Sequence, residues 1–406
     1  MFFYVIVVLF CSPVLANPSG RTEVTYPSLE TLRSGEKILT FRAFGNDIQL
    51  KLEPAGNVIA DDFTLRDGNG QIKKTNVKNL KSKLFRSKEK NAALYINEDG
   101  PLEINGLMDS RMKIEPCASK EINKEETKAH CITRHSEEDK YIHDTVISPS
   151  INQIYSSESL MTMKNDQCVV IDYRFLTETT FTRHFNNSEE IKVYLTMALM
   201  GVQNIMDTLN LRIKVRLIGI TEYNEENQLS FIKKSEIVGH ENILSANQLI
   251  EKFMNYICEH INDKSFEEYK KANIIMLITR RTLGNQSPDG NLFTGITGIA
   301  PLGAAECDSC GKCGAVSVGD DPLYRDEIIA HESAHLLGSP HDGEGPELSL
   351  PGGPGANACP GKDGFIMGDE KGENKRKFSD CSRNNIKYFL SLPNSQCIIQ
   401  NCKNKE

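Results

Sequence analysis

A segment of sequence HESAHLLGSPHD, residues 331–342, limits what this chain can fold into more than any other feature. His331 and His335 are four residues apart, so a helix places both imidazoles on one face, where two nitrogens can reach one metal ion. Glu332 then points to the neighbouring side, where it can act on water instead of ligating the metal. The segment therefore predicts a helix that carries two metal ligands and a base.

The same segment also supplies a turn and a third histidine. Gly338 can adopt the left-handed conformation that ends a helix, which allows His341 to return toward the metal. Three protein ligands leave the fourth position open, as is typical of a catalytic zinc. Further along, GFIMG at residues 364–368 is placed so that Met367 can form an apolar floor beneath the metal. Helix, turn, third histidine and methionine turn together match zinc peptidases of the metzincin class.

These motifs resemble those of the reprolysins, the adamalysin-type metzincins. Asp342 directly follows the third histidine as in that family, whereas astacins carry Glu and matrixins carry Ser there. Other segments that resemble reprolysins are Val169–Asp172, Gly298–Ala300 and Phe378–Ser382, and segments that resemble their propeptide are Phe41–Phe44, Ile48–Pro54 and Met112–Pro116. The resemblance covers most of the chain and is greatest to secreted arachnid venom or salivary members, the antarease-like metalloproteases.

The resemblance implies an α/β (α+β) metzincin fold: a mixed twisted sheet with helices, an active-site zinc helix and a small irregular C-terminal subdomain, preceded by a β-rich propeptide. It implies a secreted zinc endopeptidase, a venom or salivary toxin made as a latent proenzyme. Its substrates would be extended peptides in extracellular, host or prey proteins. One catalytic Zn²⁺ would be held by His331, His335 and His341, with Glu332 as the base and Asp342 in a structural role.

A catalytically silent scaffold that acts as a binding protein is the alternative function. The presence of Glu332 argues against it, because a scaffold that only binds does not need the base. A peptide-cleavage assay with and without a chelator separates the two.

Composition and the first residues indicate a secreted protein. The chain has 406 residues, of which 39% are hydrophobic, enough for more than one domain. A formal net charge of −8 argues against nucleic acid or an anionic membrane as a partner. Residues 1–16 have the apolar run and small residues of a signal peptide, and that run is too short to span a bilayer. We therefore expect a secreted monomer without a membrane anchor, with residues 17–160 as the propeptide and 161–406 as the catalytic domain.

Hydrophobic periodicity predicts the order of elements. Alternation from Lys37 to about Leu65 predicts two strands joined at Gly45-Asn46-Asp47, and the charged residues 120–166 predict a linker. The elements expected after the linker are a strand at Cys168–Tyr173, a helix from Ser188, a strand at Leu211–Leu217, a helix from Ser245, a buried strand at Ile274–Ile278, an edge strand at Leu292–Leu302 and the zinc helix at Arg325–Leu337.

The cysteines are expected to form disulfides. Of the 12 cysteines, Cys11 lies in the signal peptide, so 11 remain and at least one is unpaired within the chain. Cys359 and Cys381 flank the methionine turn and are expected to pair. The family pattern implies that Cys397 reaches the Cys307–Cys313 cluster, with Cys307 favoured over its neighbours. We also expect bonds between Cys168 and Cys258 and between Cys117 and Cys131, the latter favoured over a role for Cys117 as a zinc-blocking thiol.

Two further kinds of site are weakly marked. Asn186 and Asn285 begin N-glycosylation sequons, the second weakened by Pro288. The calcium site of the family is doubtful, since Gln400 stands where an asparagine would be expected.

Overall fold

The N-terminal part of the chain is built mainly from strands. The computed structural model describes residues 20–109, 111–117, 128–135, 144–147, 160–319, 322–368 and 374–402. The N-terminal elements are β1 (Gly20–Thr25), β2 (Ser28–Thr31), β3 (Lys37–Ala43), β4 (Asn46–Pro54), β5 (Ile59–Asp67), β6 (Ile72–Lys73), α1 (Val77–Ser82), β7 (Leu84–Ser87), β8 (Ala92–Asn97), β9 (Glu103–Leu107), β10 (Met112–Pro116), β11 (His130–His135) and β12 (Asp144–Ile147).

Most of these strands form one antiparallel sheet, in the order β1-β11-β10-β9-β8-β7-β4-β3-β2. Alternation explains its core, because Leu39, Phe41 and Ala43 of β3 are buried while Arg42 is exposed. The turn between β3 and β4 contains Gly45 at φ +80°, a backbone conformation that favours glycine.

Two predictions for this part of the chain are wrong. Residues 37–65 hold not two strands but β3, β4 and most of a third, β5, which leaves the N-terminal sheet. Residues 120–166 are not wholly a linker, because β11 and β12 lie within them. Both errors arise because these strands gain their stability from distant partners, which local periodicity does not report.

The second part of the chain alternates strands with helices. Its elements are β13 (Gln167–Thr177), α2 (Thr179–Thr182), α3 (Ser188–Met206), β14 (Ile213–Glu222), α4 (Ser230–Lys234), β15 (Glu236–Ile237), β16 (His240–Ser245), α5 (Ala246–His260), α6 (Glu267–Lys271), β17 (Ile274–Thr279), β18 (Thr282–Gln286), β19 (Leu292–Ile296), β20 (Gly298–Pro301), β21 (Cys313–Ser317), α7 (Pro322–Leu336), α8 (Asp380–Ser391) and β22 (Ile399–Asn401).

These elements build the predicted mixed sheet, whose strand order is β12-β20-β21-β17-β13-β14-β5-β6, with β22 beside β13. β13, β14, β17 and β21 run parallel, and β20 is antiparallel to β21. Asn187 and Ser245 cap α3 and α5 by accepting hydrogen bonds from the backbone N–H groups of Glu190 and Gln248. Helices α3 and α7 belong to one apolar core and α5 to a second. The predicted α/β fold class is confirmed.

The N-terminal part contributes strands to both sides of this sheet, β5 and β6 on one side and β12 on the other. β5 runs parallel to β14, with Ile59 opposite Leu217, and β12 runs parallel to β20. The predicted edge strand at Leu292–Leu302 is correct in part, because β19 lies at the edge of the four-stranded sheet β15-β16-β18-β19, but the segment is not one strand. It is divided into β19 and β20, which lie in different sheets, and β20 is paired on both sides.

A partly buried ionic network holds β5 against the second part of the chain. The Glu268 carboxylate accepts hydrogen bonds from Arg66 Nη2 at 2.7 Å and Thr64 Oγ1 at 2.7 Å, and it also pairs with the fully buried Arg174. Burial opposes ionisation, but the hydrogen bonds from Arg66 and Thr64 lower the pKa of Glu268 to about 2. Glu268 is therefore ionised at neutral pH and joins two arginines across this contact.

Five disulfides lie in the described part of the chain. Three join expected partners: Cys117–Cys131, Cys307–Cys397 and Cys359–Cys381. The predicted Cys168–Cys258 bond is wrong.

The structure pairs Cys168 with Cys402 and Cys258 with Cys310. β22 is antiparallel to the start of β13 and brings Cys402 to Cys168, whereas Cys258 on α5 faces the loop before β21. Cys313 is free and buried, and burial raises the pKa of its thiol.

Peptide mapping of the unreduced protein tests this pattern. We expect fragments that join Cys168 to Cys402 and Cys258 to Cys310. Because Cys313 is buried, a thiol reagent should find no reactive group in the native protein lacking residues 1–16 and one group after denaturation. A Cys313→Ser variant should show none in either state. A fragment joining Cys168 to Cys258 would contradict the placement of β22.

Candidate metal centre

Three imidazole rings converge at the end of α7. His331 and His335 lie one turn apart on the helix, and their Nε2 atoms are 3.1 Å from each other. The centroid of the His341 ring lies 4.7 Å from that of the His335 ring and 5.3 Å from that of the His331 ring. Gly338 makes this return possible because it has a φ of +86°, and a Cβ on it would lie 2.6 Å from Leu350 Cδ1.

The other nitrogen of each ring has an acceptor as its partner. His331 Nδ1 donates to the carbonyl oxygen of Ile366 at 2.7 Å, and His335 Nδ1 donates to that of Ser339 at 2.8 Å. His341 Nδ1 faces a carboxylate oxygen of Glu344 at 3.4 Å. Since these acceptors require a proton on Nδ1, the Nε2 lone pairs face the centre of the cluster, as in a zinc site with oriented ligands.

Electrostatics around the rings favour ligation. Burial lowers the pKa of His335 to about 4, so this imidazole is neutral at physiological pH, the form that binds a metal. Burial also disfavours the charged form of His341, but the neighbouring carboxylates of Asp144 and Glu344 raise the pKa of His341 to about 10. A bound dication would take the place of the proton on His341.

Glu332 is buried beside the cluster. Neither of its carboxylate oxygens has a hydrogen-bond partner among the described residues, and burial raises the pKa of Glu332 well above its usual value. The carboxylate lies against Gly298 of β20, where a Cβ would come within 2.0 Å of Glu332 Oε1. A buried acid without a partner, next to three convergent imidazoles, fits a zinc ion and its water.

Met367 and Asp342 hold the floor of the cluster. Met367 is fully buried, and its carbonyl oxygen accepts a hydrogen bond from the Asp342 backbone N–H at 2.9 Å. Asp342 Oδ1 accepts a hydrogen bond from Ser379 Oγ at 2.6 Å, and Ser379 also caps α8. Burial outweighs that hydrogen bond and raises the pKa of Asp342 to about 6. Asp342 therefore connects the third histidine to the methionine turn and to the last helix.

Sequence reasoning missed two residues of the cluster. Glu344 accepts a hydrogen bond from the His341 backbone N–H at 2.8 Å, and its position two residues after Asp342 could have suggested a contact. Asp144 of β12 places its carboxylate at all three imidazoles. No motif marked Asp144, since a lone acid in a charged stretch resembles a solvated linker residue.

Among the described residues, Asp144, His331, His335 and His341 form one group of possible metal ligands, whose ligand atoms all lie within 4.8 Å of one another. The other sites proposed from the sequence lie elsewhere. Asn186 is exposed before α3, Asn285 is half-buried in β18, and Gln400 is exposed in β22. No helix of the described residues is long and apolar enough to cross a membrane.

Comparison with known proteins gives a consistent result. The model of metallopeptidase family M12, the reprolysin group, matches residues 167–379. The chain is 39% identical over 404 residues to the venom metalloproteinase antarease of Tityus serrulatus, covering 99% of each chain. It is 36% identical over 411 residues to a venom metalloproteinase of Olivierus martensii, covering 100% of this chain and 99% of the other.

Replacement of one ligand tests the metal centre. We expect His335→Ala to lower zinc affinity by more than about 100-fold, the upper range for loss of an outer hydrogen-bond partner of a ligand. A titration against a competing chelator measures the change. The control is His260→Ala, because His260 contacts the Tyr256 carbonyl oxygen at the end of α5, away from the cluster. Unchanged affinity in the His335 variant would show that the metal lies elsewhere.

Proposed function

Since the chain belongs to metallopeptidase family M12 and is a zinc metalloendopeptidase, we propose that it is a secreted venom enzyme made as a latent proenzyme. Residues 1–16 would be the signal peptide, 17–160 the propeptide and 161–406 the catalytic domain. Two observations support this. The relatives with venom in their names align over almost their full lengths, and the N-terminal part forms a sheet of its own.

The observation that carries the proposal is the convergence of His331, His335 and His341 beside an unpartnered Glu332. The three histidines would hold the zinc through Nε2, because each Nδ1 faces an oxygen acceptor. Zinc, when bound, supplies a Lewis acid that polarises the scissile carbonyl and acidifies water. Met367, packed below, keeps the floor of the site apolar.

Glu332 is the residue that moves the proton. Its carboxylate takes a proton from the attacking water and delivers it to the leaving amine. Burial raises the pKa of this carboxyl, which makes it a stronger base than an exposed glutamate and a suitable proton donor in the second step. Gly298 leaves the space that the carboxylate occupies.

The substrate would be an extended peptide in an extracellular protein of the host or prey. Once β12 is removed, β20 presents unpaired backbone groups at the edge of the sheet, next to Glu332. An extended peptide can add to such an edge through main-chain hydrogen bonds, while side-chain pockets supply specificity. This mode of binding places a peptide carbonyl near the three histidines.

Replacement of the base tests the catalytic assignment. We expect Glu332→Ala to lower the rate of peptide cleavage by about 10²- to 10⁴-fold, the range for general acid–base catalysis, while zinc remains bound because Glu332 is not a ligand. Cleavage rate and zinc content are measured on the same sample. Glu259→Ala, an exposed position on α5, is the control. Loss of zinc together with activity would mean that Glu332 ligates the metal.

Removal of the N-terminal part tests latency. The full-length protein should cleave peptides slowly and gain activity after a cut near residues 160–167 and separation of the fragments, because the substrate edge is then free. The gain should be absent in the Glu332→Ala variant, which excludes activity of the trimming protease. Equal rates for the intact and trimmed proteins would contradict a latent form.

A further inference from the structure

Asp144 occupies the position at which a fourth zinc ligand would stand. Its Oδ2 lies 2.8 Å from His335 Nε2 and 3.2 Å from His331 Nε2, and its Oδ1 lies 2.9 Å from His341 Nε2. Only 5% of its side chain is exposed. A single carboxylate from the N-terminal part therefore contacts all three imidazoles of the cluster.

Backbone pairing holds this carboxylate in place. In the parallel pair of β12 and β20, Asp144 lies opposite Gly298 and Ile147 opposite Pro301, and the Leu302 N–H donates to the Ile147 carbonyl oxygen at 3.0 Å. Val146 packs on one apolar core and Ile147 on the other, as expected for a strand whose side chains alternate between the faces of a sheet. β12 is thus an integral strand whose first residue meets the histidines.

The atoms around the Asp144 carboxylate are acceptors that need a cation between them. The carboxylate of Asp144 is acceptor-only, and the protons on Nδ1 of the histidines leave lone pairs on Nε2. Lone pairs that face each other at about hydrogen-bond distance repel unless a positive charge lies between them. One proton can bridge one such pair, whereas a dication bridges all four ligands. Three imidazoles and one carboxylate are also a complete tetrahedral set for zinc, with no position left for water.

The cysteine nearest in sequence to a latency motif cannot fill this role. Cys117 is bonded to Cys131, so it has no thiol to offer a metal. Cys313, the free thiol of the described residues, is buried in β21. A carboxylate is the remaining kind of ligand that the N-terminal part brings to the histidines.

We propose that Asp144 is the fourth zinc ligand of the uncleaved protein and that it keeps the enzyme latent by excluding water from the metal while β12 covers the substrate edge. This inference rests on the proposed function and names its regulation. No bond is made or broken within the catalytic domain. Removal of the Asp144 strand opens one coordination position and one sheet edge together.

The test uses the full-length protein with cobalt(II) in place of zinc and acetohydroxamate as a small metal-binding probe. Asp144→Asn keeps the shape of the side chain but removes its charge, and Asp144→Ala removes the ligand. We expect either variant to change the visible spectrum of cobalt and to bind acetohydroxamate at least about tenfold more tightly, since the binding-competent fraction increases. Asp47→Asn, at an exposed position in the N-terminal sheet, should behave as the unsubstituted protein.

Retention of both the original spectrum and the original affinity in both Asp144 variants would overturn the inference. Protection of the Cys313 thiol reports whether each variant is folded.

A second measurement needs no variant and so cannot be affected by a variant's folding defect: the relaxation rate of water protons in the cobalt-substituted protein. We expect cobalt to increase this rate little in the full-length protein and markedly after trimming. Equal enhancement would contradict the assignment of Asp144.

Failure of the inference is separable from failure of the proposed function. If the chain binds zinc and the trimmed form cleaves peptides, but the Asp144 variants match the unsubstituted protein, only the role of Asp144 is wrong. If the chain binds no zinc, or the trimmed form cleaves no peptide, the proposed function is wrong.

Discussion

The convergence of three imidazole nitrogens on one point is the constraint on which the rest of the structure depends. It requires a helix that stops at Gly338, so that His341 can turn back, and backbone carbonyl oxygens that orient His331 and His335. The carbonyl that holds His331 belongs to the methionine turn, which Asp342 also contacts. The three histidines, Met367 and the last helix are therefore one hydrogen-bonded unit, and the Cys359–Cys381 bond closes it.

The central sheet couples this unit to the N-terminal part. β5 extends the sheet beyond β14, while β12 extends it beyond β20, next to the histidines. The apolar core that includes Met367 also includes Leu65 and Leu84 from the N-terminal part. Two distant sections of one chain thus occupy opposite edges of the same sheet, and the Glu268 network reinforces the edge farther from the metal.

Local patterns in the sequence were sufficient to predict the histidine helix, the glycine that ends it, the methionine turn and the helices α3 and α5. They were insufficient wherever stability comes from pairing between distant residues. β12 has four residues and lies in a charged stretch, so neither length nor periodicity marks it. Cys168 and Cys402 are separated by 234 residues, and only the antiparallel pairing of β22 with β13 brings them together. Asp144 was missed for the same reason: only the pairing of β12 with β20 brings its carboxylate to the three histidines.

The positions of the disulfides determine whether one proteolytic cut can separate the N-terminal part from the rest of the chain. Every disulfide of the described residues joins two cysteines on the same side of residues 160–167, where the activating cut is expected. A protease that cuts there leaves two fragments that are held together by strand pairing, the shared apolar core and the salt bridge between Arg66 and Glu268. Release is then a dissociation equilibrium governed by dilution. Under the proposed function, the freed N-terminal fragment would be a reversible inhibitor in trans, and the fraction of enzyme that it occupies would rise with protein concentration.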